Sequence, residues 1–238
     1  MSDPTRSESS APLIVAIDGP AGAGKSTIAS LLARRLGLPY LDTGAMYRAL
    51  AWLALREGIS SPIGAADAPR VAGLLDAHRL ELEAADNRLR VLVDGRVLGE
   101  EIRSPEVAMM ASAVSALPAV RRRLVAAQRE LGLRSGGVME GRDITSVVFP
   151  DARLRVFLTA SPDERARRRH KDLGGSAAPS LEEVRRQQQQ RDLQDTTRAD
   201  SPLHVAKGVL VIDTTGLSPD EVVSRLLDEL GRVAGPGA

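Results

Sequence analysis

Apolar and polar residues alternate along this chain in two rhythms. A continuous apolar run at 13–17 (LIVAI) suits a short strand buried on both faces of a parallel sheet. Further short strands are expected at 39–42, at 136–143 with a polar end, at 153–159 and at 208–213. Between them the spacing turns helical: 26–36, closed by Gly37 as a C-terminal cap, then 45–57 with Thr43 as its N-cap. After a loop that begins near Ser60, a short helix runs through Leu74 and Leu75. Ser104 and Pro105 open a helix that reaches Pro118, and a long one follows over 119–131. Capping boxes at 161–164, 180–183 and 218–221 start the last three helices. Only 79–99 departs from this order. Its period is two, folded about Asp86 and Asn87, with one more strand through Val97 after Asp94 and Gly95.

Strands alternating with helices predict an α/β fold: a central parallel β-sheet with right-handed crossovers, flanked by helices, binding ligands at the carboxyl ends of its strands. Gly19, Asp42, Glu140 with Arg142, Thr159 and Asp213 fall at those ends. No internal repeat divides the chain. Residues 13–238 read as a single domain behind a disordered polar tail at 1–12, and the closing AGPGA reads as a frayed end. The β-containing stretch sits in an insertion at about 60–115, a candidate substrate clamp. The helices over 161–195 are dense in arginine and joined by the Gly-rich 174–179; they can bury little, which is the pattern of a mobile lid.

The first strand runs directly into a phosphate loop. Gly19, Gly24, Lys25 and Ser26 match Gly-x-x-x-x-Gly-Lys-[Ser/Thr] within Gly19, Pro20, Ala21, Gly22, Ala23, Gly24, Lys25, Ser26 and Thr27. Gly22 and Gly24 let the backbone curl so that successive N–H groups point at phosphate oxygens. Lys25 places a charge on the outer phosphates, and Ser26 offers a hydroxyl to Mg²⁺. The helix that follows aims its positive end at the same anion. Chance alone would give this pattern in roughly one chain of this length in a hundred. A strand before it, a helix after it and the rarity of lysine (only Lys25, Lys171 and Lys207) favour nucleotide binding over a mere Gly-rich turn.

Bulk composition narrows the class. Hydrophobic residues make up 43% and aromatics 2%, so an ordinary core must be built from Leu, Val, Ile and Ala. A net charge of +1 argues against a general nucleic-acid binder. Cysteine is absent, which removes disulfides, a thiol nucleophile and cysteine zinc sites. His78, His170 and His204 show no metal-ligand spacing. No apolar run reaches membrane-spanning length, and the first residues lack a hydrophobic signal region, so a cytoplasmic location is expected. A phosphate loop alone leaves kinase, ATPase, GTPase and motor open. The chain has no Asn-Lys-x-Asp guanine reader and no second phosphate loop. A sheet with an inserted clamp and a basic lid fits a small phosphotransferase, because a closing lid keeps water from the transferred group. Two alternatives stay open: a kinase acting on AMP or shikimate, and a nucleic-acid or ribosome-associated protein using the arginines at 121–123 and 165–169.

Several motifs carry a closer resemblance. Asp-Thr-Gly-Ala-Met-Tyr-Arg at 42–48, Gly-Glu-Glu-Ile-Arg at 99–103, Gly-Arg-Asp at 141–143 with Val-Val-Phe-Pro-Asp-Ala at 147–152, and Arg-Asp-Leu-Gln-Asp-Thr-Thr-Arg at 191–198 resemble bacterial cytidylate kinase, in that family's order. The resemblance implies a P-loop nucleoside monophosphate kinase fold, with a β-containing NMP-binding insertion and a helical lid. It also implies transfer of the γ-phosphoryl group of ATP to CMP or dCMP with Mg²⁺, by a monomer without nucleic-acid or membrane partners. It places Lys25, Arg142 and Arg198 in catalysis, and Thr43 in the CMP site. Arg48 and Arg142 would grip the CMP phosphate, Ser112, Arg121 and Asp143 would surround the cytosine, and Arg191, Asp195 and Arg198 would hold sugar and phosphate. Arg165, Arg168 and Arg169 are implied as lid arginines that reach the ATP phosphates. The pattern departs after Gly-Arg-Asp, where the family usually has a residue and then Gly-Thr; here Ile144 is followed by Thr145 and Ser146.

Overall fold

The computed structural model describes residues 12–85, 88–174 and 179–234. Residues 1–11 of the expected tail at 1–12, the turn at 86–87, residues 175–178 of the joint at 174–179 and the last residues, 235–238, lie outside the described residues. In chain order come β1 (Ile14–Asp18), α1 (Lys25–Leu36), β2 (Tyr40–Asp42), α2 (Gly44–Arg56) and α3 (Asp67–Ala77). The strands β3 (Leu80–Ala85), β4 (Arg88–Val93) and β5 (Arg96–Leu98) lead through a 3₁₀ turn at Glu100–Ile102 to α4 (Pro105–Ser115) and α5 (Pro118–Ser135). Next are β6 (Gly137–Gly141), a π-turn at Ile144–Val148, β7 (Leu154–Thr159), α6 (Pro162–Leu173), α7 (Leu181–Thr197), β8 (Leu210–Asp213) and α8 (Pro219–Ala234).

One sheet runs β3-β4-β2-β6-β1-β7-β8, with β5 beside β4. From β2 to β8 every pairing is parallel. The period-two stretch forms an antiparallel meander about β4, and β4 joins the edge of β2 in parallel register, Tyr40 opposite Arg88. The insertion thus extends the main sheet, which covers backbone groups that β2 would otherwise expose at its edge.

Residues of β1 are buried on both sides for an evident reason. Val15 and Ile17 pack with Ile28 and Leu32 of α1 and Leu226 of α8, while Ile14 and Ala16 face Leu131 of α5 and Phe149. Gly132 makes that second contact possible, since a Cβ there would meet the Phe149 ring at 2.6 Å. Adding one is expected to cost the overpacking penalty of about 1–3 kcal/mol. The α2, α4 and α5 helices share a third apolar cluster with the meander, so the insertion has its own core as well as its strand pairing.

Some local expectations fail. Thr43 does not cap α2: its hydroxyl donates to the Glu140 carbonyl at 2.7 Å, and its backbone is already helical. Ser161 and Ser180 accept from the N–H groups of Glu164 and Glu183, but those carboxylates turn to arginines instead of closing the box. Only Ser218 and Glu221 satisfy each other reciprocally among these three. The long helix runs to Ser135, and its arginine run is not all solvated. Arg121 is 2% exposed, because it lies on the same helical stripe as Val120 and Leu124.

Candidate active site

The loop between β1 and α1 turns on Gly19, Gly22 and Gly24, whose φ angles are 150°, 78° and 86°. Side chains do not enter that region readily. At Gly19 a Cβ would lie 2.0 Å from the Leu158 carbonyl oxygen, so the loop is pressed against β7. Lys25 is buried in the first turn of α1, and its Nζ donates to Pro20 O at 2.8 Å. Burial first, then the nearby Arg142 and Arg191, lowers the ammonium pKa to about 7. Phosphate oxygens at this loop would reverse that shift. The pKa then rises on binding, and affinity should fall as pH climbs above about 7, by at most about tenfold per unit. ADP titrated calorimetrically near pH 8, in two buffers of different ionisation heat, is expected to show uptake of close to one proton that Lys25→Met eliminates.

Across the strand ends lies a second basic cluster. Arg142 donates from Nε to Asp195 Oδ2 at 2.8 Å, and Arg48 from Nη2 to Asp42 Oδ2 at 2.7 Å. Arg191 is pushed down to about 10, by burial and then by Arg142, with Arg48 and Arg169 adding to it. Burial works to raise Asp195, yet Arg142 and Arg191 hold its carboxyl below the usual range. More cationic charge is gathered here than the adjacent carboxylates neutralise, which is the electrostatics of a polyanion site.

The base-reading candidates come together beside it. Asp143 forms a buried ion pair with Arg121, whose Nη1 also donates to Ser115 O at 3.2 Å. Burial pushes the Asp143 carboxyl up, against the pull of Arg121 and Arg198. The Arg121 guanidinium lies 5.9 Å from the Tyr47 ring. Arg198 donates from Nε to Ser201 O at 2.7 Å, and Ser112 on α4 donates to Gln194 Oε1 on α7 at 2.9 Å.

The three arginines expected in a lid do not act alike. Arg165 is buried and donates to Ala21 O of the loop at 3.2 Å and to Asp192 at 2.6 Å, so it ties α6 and α7 to the loop backbone. Gln188 completes that tie by donating to Arg165 O at 3.2 Å. Arg168 grips Thr214 after β8, donating to its hydroxyl at 2.9 Å and its carbonyl at 2.8 Å. Arg169 is half-buried and adds its charge beside Arg191. With Arg121 and Arg165 turned inward, neither arginine run is a continuous surface patch.

Three further residues at the candidate site were given no role from the sequence: Glu140, placed only at a strand end, Gln194, quoted only as part of the 191–198 motif, and Asp18. Glu140 is buried at the end of β6, accepts from the Tyr40 hydroxyl and has the Ser26 hydroxyl beside it. Burial and the neighbouring Asp42 push its carboxyl up. The pairing of Gln194 with Ser112 could not be read from the motif, because the two are 82 residues apart. Asp18 sits one residue before Gly19 and bonds the turn after Asp143, where Thr145 supplies a hydroxyl in place of the expected glycine. Adjacency to the loop was the only available signal for Asp18. Among the described residues no group of three His, Cys, Asp or Glu could hold a metal ion, and no helix is long and apolar enough to cross a membrane.

A phosphate loop after β1 beside a cluster of arginines at the strand ends fits a P-loop phosphotransferase. Comparison with known proteins sharpens the class. The model of the family described as cytidylate kinase matches residues 15–232. The chain belongs to the cytidylate kinase family. It is 45% identical over 219 residues to a cytidylate kinase of Carboxydothermus hydrogenoformans, covering 92% of this chain and 97% of that one. A cytidylate kinase of Desulfitobacterium hafniense is 49% identical over 216 residues, covering 90% and 91%. Among solved structures, an uncharacterized protein from Eubacterium ventriosum shares the fold alone, with a TM-score of 0.53 at 11% identity over 92% of this chain and 98% of that one.

Proposed function

We propose that this protein transfers the γ-phosphoryl group of ATP to CMP or dCMP, giving ADP and CDP or dCDP. The observation that carries the reading is a set of buried donors without a hydrogen-bond partner: Arg48 Nε, Arg191 Nε, Arg121 Nε and Arg198 Nη2. Buried donors left unpaired are costly, and here the unpaired atoms belong to residues grouped around Arg142 and Asp143. A nucleoside monophosphate brings the acceptors they lack. Cytosine offers an amino group to the Asp143 carboxylate and ring acceptors to Arg121 and the Ser112 hydroxyl. Uracil turns a carbonyl toward Asp143 instead.

An oxygen of the acceptor phosphate attacks the γ-phosphorus, and the bond from that phosphorus to the β–γ bridging oxygen breaks. Lys25 and the loop N–H groups bear the charge on the donor phosphates, while Arg142 and Arg48 orient the acceptor. No strong base is required, since the work is positioning and charge neutralisation. The α6–α7 pair, held against the loop by Arg165 and Gln188, keeps water from the γ-phosphoryl group.

Oxygen donors suited to Mg²⁺ lie at the loop: the Ser26 hydroxyl, with the buried Glu140 carboxylate behind it. When bound, the ion neutralises charge on the β- and γ-phosphate oxygens. Tyr40 orients Glu140, and Lys25 lies close enough to stabilise its charge. Glu140→Gln is expected to raise the Mg²⁺ concentration for half-maximal rate by about tenfold, measured by titration at saturating nucleotide. We place the enzyme in the cytoplasm, acting as a monomer on these small molecules.

A coupled assay for ADP release, with ATP and a panel of CMP, dCMP, UMP, AMP and shikimate, tests the reading. CMP and dCMP should be strongly preferred. A preference for AMP or shikimate would overturn the cytosine assignment.

A further inference from the structure

Asp18 has no exposed surface, and both of its oxygens are spent on a turn more than a hundred residues away. Its Oδ1 accepts from the Ile144 N–H at 2.9 Å; its Oδ2 accepts from the Thr145 N–H at 2.8 Å and from the Thr145 hydroxyl at 2.6 Å. The carboxylate is itself held rigidly, because Asp18 pairs with Gly141 of β6 and Phe157 of β7. One residue after Asp18 the phosphate loop begins, and the residues just before the bonded turn are Arg142 and Asp143. The far end of the turn is fixed by Arg129 of α5, which donates to Val148 O at 3.0 Å and Val147 O at 2.6 Å.

We propose that Asp18 and Thr145 are positioning residues for phosphoryl transfer, clamping the acceptor-binding Arg142–Asp143 turn to the start of the phosphate loop. The proposal rests on the acceptor role given to Arg142 and Asp143 above. In-line transfer depends on the separation of two bound phosphates, and this clamp is a covalently short link between the elements that hold them. Only a carboxylate suits the position. Asparagine would turn an NH₂ group toward one of the two N–H donors, since both oxygens here accept. Valine at 145 would keep the shape and the N–H bond but set a methyl against Oδ2.

Steady-state kinetics and thermal denaturation of Asp18→Asn, Thr145→Val and Thr145→Ser test this, with the acceptor that wild type prefers in the panel assay as substrate. Asp18→Asn is expected to lose about 100-fold in kcat. Thr145→Val should lose about tenfold, with the KM for ATP unchanged, and Thr145→Ser should restore the wild-type rate. A clamp that served stability alone would lower Tm in Asp18→Asn and Thr145→Val while leaving kcat near wild type, and that outcome overturns the proposal. So would Thr145→Ser performing no better than Thr145→Val. Should Asp18→Asn fail to fold, the two Thr145 variants decide. Failure of wild type to use CMP would count against the cytosine assignment and not against the clamp.

Discussion

Lys25→Ala is expected to lower kcat for CMP phosphorylation by about a thousandfold, without loss of thermal stability. Its ammonium is the one lysine charge at the loop, and the β–γ bridging oxygen, which leaves with ADP, gains charge as its bond to the γ-phosphorus breaks. Preorganised charge in a water-poor site acts at full strength, because nothing need reorient at the moment of reaction. Stability behaves differently. Burial and two arginines disfavour the charged side chain by more than Glu140 and Asp18 favour it, and its hydrogen bond goes to a carbonyl of its own loop. Removing it relieves that repulsion. The assay is ADP release at saturating ATP and CMP, with a melting curve alongside. A variant within about tenfold of wild type would remove Lys25 from the transfer step.

Asp143→Ala should act on both specificity and stability. The carboxylate and Arg121 are 7% and 3% exposed at their side chains, so deletion leaves a guanidinium buried without its main partner. Breaking such a pair costs about 3 kcal/mol, and Asp200, 3.8 Å from Arg121 Nε, is placed to soften that loss. The CMP-to-UMP ratio of kcat/KM should fall by about a hundredfold, because the group that welcomes the amino hydrogens and repels the uracil carbonyl is gone. The double variant Arg121→Met with Asp143→Ala separates the two effects. It should regain stability by removing the orphaned charge, yet should not regain cytosine preference. An unchanged CMP-to-UMP ratio in the single variant would exclude Asp143 from base reading.

The phosphate loop was legible because its whole physics lies within a few consecutive residues. Three glycines set the turn, and a lysine and a serine follow. The continuous apolar run of β1 likewise foretold burial on both faces. Arg121 could have been separated from Arg122 and Arg123 by its place on the Val120–Leu124 stripe, although arginine in a run usually means solvent. Thr43 was misjudged for a different reason. A threonine before a helix has a local offer, the cap, but the Glu140 carbonyl makes a better one from 97 residues away.

By itself the sequence determined the alternation of strands and helices, the glycine-rich loop after β1, and through its motifs the family. Tertiary structure alone decided which charges meet. It set Asp143 against Arg121, Arg142 against Asp195, Asp18 against Thr145, and Arg165 on the loop instead of in solution. Spacing along a chain reports which groups share a local turn or face. The free energy of a buried ion depends on how much water is removed and what charge replaces it, and those are fixed only when separate elements pack together.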